Sequence, residues 1–396
     1  MIRFDSVTKR YPDGTVAVDR LEMTAPSGQI TVLVGPSGCG KTTSLRMINR
    51  MITPTEGRIW LDDQDTGSLK PHELRRQIGY VIQHAGLFPH RTIVDNIATV
   101  PYLLGWDRKK ARARAMELLD RVGLPAHFGK RYPAQLSGGQ QQRVGVARAL
   151  AADPPVMLMD EPFSAVDPVV RDQLQEEFLR LQGELGKTIV FVTHDIDEAI
   201  KLGDQVAVMR AGGQLAQLAT PAELLGEPAD AFVAGFVGRD RGYRALGFRP
   251  VTGLPTREEQ TVRLNAPFQG TDNADGWLLV VDEGDAPQGW LRAEEVQPGT
   301  PVSEQLVHRG GTLASDGGSL RAVLDACLSS PTGRGVVVDA DGSLVGSVTA
   351  SEVLALIEGR AGEPALIEGR AGEPALVEGR AGEPALIEGR SGEPAR

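Results

Sequence analysis

The chain has 396 residues, a formal net charge of −10 and a pI near 5.3. This acidic balance argues against binding to nucleic acid and against attachment to anionic lipid through the chain's own charge. Hydrophobic residues make up 41% of the chain, which is enough to fill the cores of two or three domains.

The N-terminus alternates polar and apolar side chains in the way a strand does and contains no apolar signal sequence. No run of about 18 apolar residues occurs in the sequence, so no membrane span is predicted. We therefore expect a cytosolic protein that reaches a membrane only through a partner.

Residues 1–238 alternate short β-branched runs with helical stretches, and the runs are QITVLVG, VMLMD, TIVFVTH and QVAVMRAG. Long apolar runs without polar alternation are typical of parallel strands that are covered on both faces. This part of the chain is therefore predicted to be an α/β domain.

A glycine-rich loop separates the first of these runs from a helical stretch, as a phosphate-binding P-loop requires. Its residues are Gly35, Pro36, Ser37, Gly38, Cys39, Gly40, Lys41, Thr42 and Thr43. We expect the backbone amides to wrap the β-phosphate, Lys41 to contact the β- and γ-phosphates, and the Thr42 hydroxyl to hold Mg²⁺. A glycine turn with a solvated lysine is the alternative, which the flanking strand and helix disfavour. Cys39 and the distant Cys327 are the only cysteines, and they form no zinc or disulfide pattern, which indicates a reducing compartment.

A second glycine loop, LSGGQ, opens onto the helical stretch QQRVGVARALA but lacks a lysine. Its candidate phosphate contacts are Ser137, Gly138, Gly139 and Gln140. A hydroxyl, glycine amides and a helix N-terminus form an anion site suited to a γ-phosphate that is already held elsewhere.

Polar side chains follow three further strands. Asp160 and Glu161 end the run VMLMD, where an unpaired carboxylate would be costly, so a cation is expected nearby. We assign Asp160 to Mg²⁺ and Glu161 to deprotonation of the attacking water; the alternative is an acidic strand end that caps the next helix. His194 ends another strand and is expected to contact the γ-phosphate, although a lone histidine there is more often structural. Gln83 follows a short strand, and its amide can serve both the metal and the attacking water.

Taken together, these motifs resemble those of the ATP-binding cassette (ABC) ATPases, in the same order, over residues 1–238. The resemblance implies a P-loop NTPase fold with a parallel-sheet core, antiparallel N-terminal strands and a helical signature subdomain. It identifies Gly35–Thr43 as the Walker A loop, Gln83 as the Q-loop glutamine and His194 as the switch histidine. It also implies ATP and Mg²⁺ as ligands, with Tyr11 stacking on the adenine.

The same resemblance explains why there are two glycine loops. LSGGQ is then the signature motif, and Ser164–Asp167 is the D-loop, in which Val166 replaces the usual leucine and Asp167 contributes to nucleotide binding. It implies a head-to-tail homodimer in which the signature of each subunit closes over the P-loop nucleotide of the other. ATP binding would close this pair and hydrolysis would open it.

A narrower resemblance concerns the kind of ABC protein. The single cassette, the appended C-terminal unit and the segment YVIQHAGLFPHRTIVDNIATVPYLLGW look like the ATPases of importers for glycine betaine, choline, carnitine or proline. This implies membrane permease subunits, an extracytoplasmic solute-binding protein as an indirect partner, and a peripheral position on the cytoplasmic face of the membrane. The alternatives are an importer of another solute such as an amino acid or a sulfonate, an ABC ATPase acting on ribosomes or DNA, and a nucleotide-dependent scaffold without turnover.

The loop from Gln83 to Arg91 is the expected docking surface for the permease. It places Leu87 and Phe88 beside Pro89, and exposed apolar side chains in a loop favour a docking role. The alternative is that Phe88 packs inward.

A glycine- and arginine-rich break at residues 239–250 predicts a linker, and a small α+β unit follows at 251–357. This unit resembles a pair of CBS repeats, the first of them degenerate. Its second repeat contains GSVTASE, with Thr349 in the place of a ribose-binding threonine and Glu352 where an aspartate is usual. An adenine-nucleotide ligand and a plain dimerisation or regulatory role both remain open. A decapeptide repeat rich in Gly, Glu and Pro fills residues 358–396 and predicts a disordered tail.

Overall fold

The structure is a computed structural model that describes residues 1–83, 85–164, 166–251 and 253–358, without the side chain of Val169. The decapeptide-repeat tail, apart from its first residue, lies outside the described residues. No helix in the described part of the chain combines the length and the apolar character needed to cross a bilayer.

The N-terminal part contains two sheets. An antiparallel four-stranded sheet has the order β2-β1-β4-β5, and a six-stranded sheet has the order β10-β9-β3-β8-β7-β6. Strands β9, β3, β8, β7 and β6 are parallel, and β10 joins the edge antiparallel to β9. The strands are β1 (Ile2–Arg10), β2 (Val16–Ala25), β3 (Ile30–Val34), β4 (Glu56–Leu61), β5 (Gln64–Asp65), β6 (Ile78–Val81), β7 (Val156–Asp160), β8 (Thr188–Val192), β9 (Gln205–Arg210) and β10 (Gln214–Ala219).

The central strands are buried because helices cover one face of the large sheet, while the antiparallel sheet and the helix that begins at Lys41 cover the other. Every residue of β3, β7 and β8 is buried, as the uninterrupted apolar runs of the sequence predict. The predicted parallel core and antiparallel N-terminal strands are thus confirmed. Since these strands run in the same direction, their carboxyl ends meet at one edge of the sheet, where ligands bind in open α/β folds.

The helices of this part pack around the large sheet, and four of them, which follow β6 and precede β7 in the chain, form a helical subdomain. In this subdomain α3, α5 and α6 pack together through buried side chains such as Val94, Leu118, Leu119 and Val144. The helices are α1 (Lys41–Ile48), α2 (Pro71–Arg76), α3 (Ile93–Ile97), α4 (Thr99–Leu103), α5 (Arg108–Arg121), α6 (Gly138–Leu150), α7 (Pro168–Leu185), α8 (Ile196–Leu202), α9 (Pro221–Gly226) and α10 (Ala231–Val237).

Within residues 239–250, the expected linker, a short helix α11 (Arg241–Ala245) touches both halves of the chain. On one side, Arg244 pairs with Asp197 of α8 at 3.0 Å. On the other side, the Tyr243 hydroxyl bonds to Asp325, and Leu246 is buried in the core of the C-terminal unit. The segment therefore makes specific contacts in addition to joining the two units.

The C-terminal unit contains two three-stranded sheets with the orders β11-β12-β13 and β14-β15-β16. In each sheet the first strand is parallel to the middle one and the third is antiparallel to it. The elements are β11 (Thr261–Arg263), β12 (Trp277–Val281), β13 (Pro287–Arg292), β14 (Ala314–Ser315), α12 (Leu320–Ser329), β15 (Arg334–Val338), β16 (Leu344–Thr349) and α13 (Ala350–Ile357). In the second half a helix, a strand, a turn, a strand and a helix follow one another, so the unit is α+β as predicted.

The two sheets are related by an internal repeat. Trp277 pairs with Arg292 and, 57 positions later, Arg334 pairs with Thr349; the other pairings and the register shift recur with the same offset. Each unit also receives a segment that precedes the other, through the pairs Arg257 with Ser347 and His308 with Trp290.

This cross-pairing demands a glycine at equivalent places in the two units. A Cβ on Gly289 would lie 2.8 Å from the carbonyl oxygen of His308, and one on Gly346 would lie 2.6 Å from that of Arg257. The two glycines also have positive φ angles of 141° and 156°. The C-terminal unit is therefore a two-fold repeated structure in which each half completes the other.

Candidate functional site

The glycine loop connects β3 to α1, as predicted. Gly40 is the N-cap of α1 with φ 94°, and a Cβ there would lie 2.2 Å from the carbonyl oxygen of Ala17. Only glycine accommodates both the left-handed backbone and this close approach of β2. The first amides of α1 have no intrahelical partner, so this helix end can bind an anion.

Lys41 lies across its own loop. Its Nζ donates hydrogen bonds to the carbonyl oxygens of Gly35 at 2.8 Å and Pro36 at 3.1 Å, and the side chain is buried. The thiol of Cys39 is also buried in the loop, and burial raises its pKa while Lys41 lowers it. The ammonium group is thus held in the concave side of the loop, where phosphate oxygens can replace the two carbonyls as its partners.

Asp160, at the carboxyl end of β7, meets the P-loop directly. The Thr42 hydroxyl donates to Asp160 Oδ1 at 2.9 Å, while the Tyr80 hydroxyl lies 3.5 Å and the Arg46 guanidinium 3.9 Å from Oδ2. Burial raises the pKa of Asp160, and the hydrogen bond from Thr42 and the charge of Arg46 lower it, whereas Glu161 raises it. The sequence motifs predict that Thr42 and Asp160 share one cation, but they do not indicate the contacts from Tyr80 and Arg46.

The oxygens of Thr42 and Asp160 are hard ligands of the kind that Mg²⁺ prefers, and Mg²⁺ usually retains several waters. Among the described residues, no group of three His, Cys, Asp or Glu side chains converges into a metal cluster. The donor set therefore fits a cation held by few protein groups together with phosphate oxygens.

Glu161 lies between Gln83 and His194. Gln83 Nε2 donates to Glu161 Oε2 at 3.3 Å, and His194 Nδ1 lies 3.2 Å from the same oxygen. The three side chains follow the carboxyl ends of β6, β7 and β8, and they meet at one edge of the sheet. The His194 side chain is 58% exposed and that of Glu161 is 22% exposed, so these side chains are accessible from solvent at the carboxyl edge of the sheet.

The backbone around Glu161 fixes its direction. Its φ angle is 47°, which is unusual for a residue with a side chain, and its amide donates to the carbonyl oxygen of Val192 at 2.9 Å. Ser164, the first residue of the predicted D-loop, donates its hydroxyl to the carbonyl oxygen of Glu161 at 2.9 Å. Asp167, at the other end of the D-loop, accepts the amide of Arg171 through its main-chain carbonyl at 2.8 Å.

Tyr11 lies on the hairpin between β1 and β2, which adjoins the P-loop. Its amide donates to the carbonyl oxygen of Thr15 at 2.9 Å, and the ring faces Lys9 Nζ at 5.3 Å. Because Ala17 of the same hairpin contacts Gly40, the predicted adenine platform is on the P-loop side of the small sheet.

The second glycine loop begins α6, as predicted, and forms a capping box. The Ser137 hydroxyl accepts the Gln140 amide at 3.3 Å, and the Gln140 side chain accepts the Ser137 amide at 3.0 Å. The spacing of serine and glutamine could have revealed this box in the sequence. A neighbouring cavity of about 400 Å³ is lined by Gly123, Leu124, Pro125, Phe128, Ser137, Gly139, Gln140, Arg143 and Val170.

Comparison with known proteins gives consistent similarities. The family described as ABC transporter matches residues 18–164. The carnitine transport ATP-binding protein OpuCA of Listeria monocytogenes is 43% identical over 371 residues, covering 90% of this chain and 92% of that protein. The osmoprotectant import ATP-binding protein OsmV of Salmonella typhimurium is 43% identical over 361 residues, covering 88% of this chain and 94% of that protein.

Among solved structures, the dimeric post-hydrolysis state of the ATP-binding cassette MJ0796 bound to ADP and Pi is similar to this fold. It aligns with a TM-score of 0.51 and 34% identity, covering 56% of this chain and 99% of that one.

Proposed function

Because the chain belongs to the family of ABC transporter ATP-binding subunits, whose members include those of carnitine and osmoprotectant importers, we propose that it powers the import of quaternary amines. The observation that carries the enzymatic part is the meeting of Gln83, Glu161 and His194 beside a P-loop. The solute class is supported by the relatives' names and by the length over which they match.

The chain binds ATP and hydrolyses it. Lys41 and the first amides of α1 hold the β- and γ-phosphates, with Lys41 exchanging its bonds to Gly35 and Pro36 for phosphate oxygens. Glu161 accepts a proton from a water molecule whose oxygen attacks the γ-phosphorus. The bond to the β–γ bridging oxygen breaks, and ADP leaves with that electron pair. Gln83 and His194 orient Glu161 and the attacking water.

Mg²⁺ is the cation that the donor set fits best. Thr42, Asp160 and the amide of Gln83 would hold it. When bound, Mg²⁺ neutralises charge on the β- and γ-phosphate oxygens. Tyr80 and Arg46 keep the Asp160 carboxylate in position from the side opposite Thr42.

We also propose a head-to-tail homodimer with two composite sites. Ser137–Gln140 open a helix but carry no lysine, so they suit the γ-phosphate of a nucleotide that another subunit holds. The cavity beside Ser137 is consistent with this, as is the dimeric state of the similar cassette MJ0796.

The docking loop, which runs from Gln83 to Arg91, is the proposed contact with the membrane permease. Leu87 packs against the core while Phe88 is 39% exposed, with the Arg91 guanidinium 5.0 Å from its ring centre. A polar cavity of about 540 Å³ is lined by Arg91, Asp95, Tyr102, Trp106, Arg108 and Arg112. An exposed ring beside arginines suits a short partner segment with an apolar and an acidic side chain. This contact would hold the chain on the cytoplasmic face of the membrane, and the solute-binding protein would act only through the permease.

The C-terminal unit is proposed to be a CBS-like pair with a regulatory role. The repeated register and the cross-paired segments support this reading. Thr349 and Glu352 form the capping box of α13, and Glu352 also pairs with Arg257 at 2.6 Å, so both side chains already have structural partners. This favours dimerisation or regulation without nucleotide binding at that motif. A candidate place for the nucleotide alternative is a cavity of about 270 Å³ bordered by Trp290 and Arg309.

Solute uptake tests the proposal. Membrane vesicles that contain this chain with its permease and solute-binding protein are loaded with ATP and offered labelled choline, glycine betaine, carnitine, an amino acid or a sulfonate. We expect uptake of at least one quaternary amine, abolished in the Lys41→Ala variant. Uptake of the amino acid or sulfonate alone would assign the chain to the alternative class of importer.

A further inference from the structure

Arg148, near the end of α6, is bound to the loop that follows Gln83. Its Nη1 donates to the carbonyl oxygen of Gly86 at 2.7 Å and its Nη2 to that of Ala85 at 2.6 Å. A planar guanidinium can make two such bonds in a fixed direction, which a lysine cannot. We propose that Arg148 is a positioning residue that holds this loop so that the Gln83 carboxamide stays against Glu161.

The two hydrogen bonds to the loop carbonyls stabilise the charged guanidinium of Arg148. Burial alone lowers its pKa, and no carboxylate of the described residues forms an ion pair with it. A partly desolvated cation without a counter-ion is costly unless its donors are satisfied. The two loop carbonyls therefore determine where the guanidinium lies, and they are held in turn by it.

Packing between α6 and the loop explains why the arginine is in reach. A Cβ on Gly145 would lie 3.5 Å from the Ala85 side chain, so the helix touches the loop directly at this glycine. In β6, four residues before Gln83, a Cβ on Gly79 would lie 2.8 Å from the carbonyl oxygen of Ala149. Helix α6 thus lies against both β6 and the loop, on either side of Gln83 in the chain.

The far half of the docking loop is held separately. The fully buried Asn96 accepts the Phe88 amide at 2.7 Å and donates to the carbonyl oxygens of Phe88 and Arg91, both at 3.1 Å. Arg148 therefore controls the half nearest Gln83. Gln83 itself is exposed, and its side-chain hydrogen bond goes to Glu161 at 3.3 Å. Its placement depends on the backbone that Arg148 fixes.

This inference rests on the proposed role of Gln83, and a double-mutant cycle tests the two separately. Steady-state ATPase kinetics of the full-length chain are measured for Arg148→Met, Arg148→Lys, Gln83→Ala and Arg148→Met with Gln83→Ala. The matched control is Arg75→Met, because Arg75 on α2 also donates to two consecutive carbonyls, those of Asn49 and Arg50, and neither belongs to the loop that follows Gln83.

We expect Arg148→Met to lower kcat about tenfold with the KM for ATP within about twofold, since the P-loop is untouched. Arg148→Lys should lose less, because an ammonium can still bond one carbonyl, and it keeps the test informative if the methionine variant does not fold. In the Gln83→Ala background, Arg148→Met should have almost no further effect on kcat. The control should stay within about twofold of the wild type.

Three results would overturn the proposal. An unchanged kcat in both Arg148 variants would show that the clamp does not matter. A tenfold loss that persists in the Gln83→Ala background, or a parallel rise in KM, would show a structural role that does not act through Gln83. A wild-type kcat in Gln83→Ala alone would instead refute the role of Gln83, and with it the route by which Arg148 acts.

Discussion

Replacing Glu161 by glutamine isolates proton acceptance from the rest of the site. The glutamine has the same length, and its carbonyl oxygen can still accept the bond from Gln83, now 3.3 Å from Glu161. His194, 3.2 Å away, keeps a polar neighbour. A positioned base typically contributes about 10²- to 10⁴-fold, or about 2.7 to 5.4 kcal/mol of the barrier. We expect kcat to fall by that factor.

Nucleotide binding should survive the same change, because the phosphates are held by Gly35–Thr43. The variant should therefore bind ATP with a Kd within about twofold of the wild type and accumulate as an ATP-bound dimer. Single-turnover ATPase assays and gel filtration with ATP and Mg²⁺ measure the two effects. Glu184→Gln is the control, since the Glu184 side chain is 48% exposed and pairs with Arg180 of the same helix, α7. Hydrolysis by Glu161→Gln within tenfold of the wild-type rate would remove Glu161 from the role of base.

Four further predictions test the remaining parts of the account. Mixing Lys41→Ala subunits with Ser137→Arg subunits should restore one intact composite site per heterodimer, measured as cross-interface ATP binding that neither variant shows alone; no recovery would contradict the head-to-tail arrangement or require both sites to be intact. Phe88→Ala should retain basal ATPase activity but lose transport in vesicles, whereas aggregation or loss of basal activity would show that the ring has a core role. The stability of Glu198→Gln relative to the wild type should increase as the pH rises above 4.5. Burial raises the pKa of Glu198, so the folded state binds that proton more tightly than the unfolded state does. Wild-type stability therefore falls as the pH rises through the folded pKa, whereas the glutamine does not titrate. Urea denaturation across pH measures this, and a difference independent of pH would contradict it. Removal of residues 243–396 should leave ATPase activity but abolish the response of transport to internal salt, and an unchanged salt response would rule out the C-terminal unit as the sensor.

The parts of the fold that the sequence predicts are those encoded by short local patterns. The largely apolar runs of β3, β7 and β8 can be recognised without knowing their neighbours, because a strand that is buried on both faces is mostly apolar. The P-loop is recognisable for the same reason, since Gly40 and Lys41 act within a few residues of each other. The meeting of Gln83, Glu161 and His194 follows from parallel strand order, so it too could be anticipated.

Contacts between distant segments could not be predicted in this way. Arg148 is 62 positions from Gly86, and nothing in the pattern of α6 distinguishes it from Arg143. Tyr80 lies on β6 and Arg46 lies on α1, so their contacts with Asp160 depend on how these two elements pack beside β7. Residues 239–250 have the composition of a linker, yet Tyr243 contacts the C-terminal unit because that unit supplies a partner for it. The domain boundaries and the roles of the site residues remain predictions.

The most direct test of the central claim is the ATPase rate of the assembled transporter in vesicles. The full-length chain is reconstituted with its permease and solute-binding protein, and hydrolysis is measured with and without a quaternary amine. We predict that the amine stimulates hydrolysis severalfold, that choline or glycine betaine does so where an amino acid does not, and that Lys41→Ala abolishes the rate. Hydrolysis that is unaffected by every quaternary amine while another solute stimulates it would contradict the account.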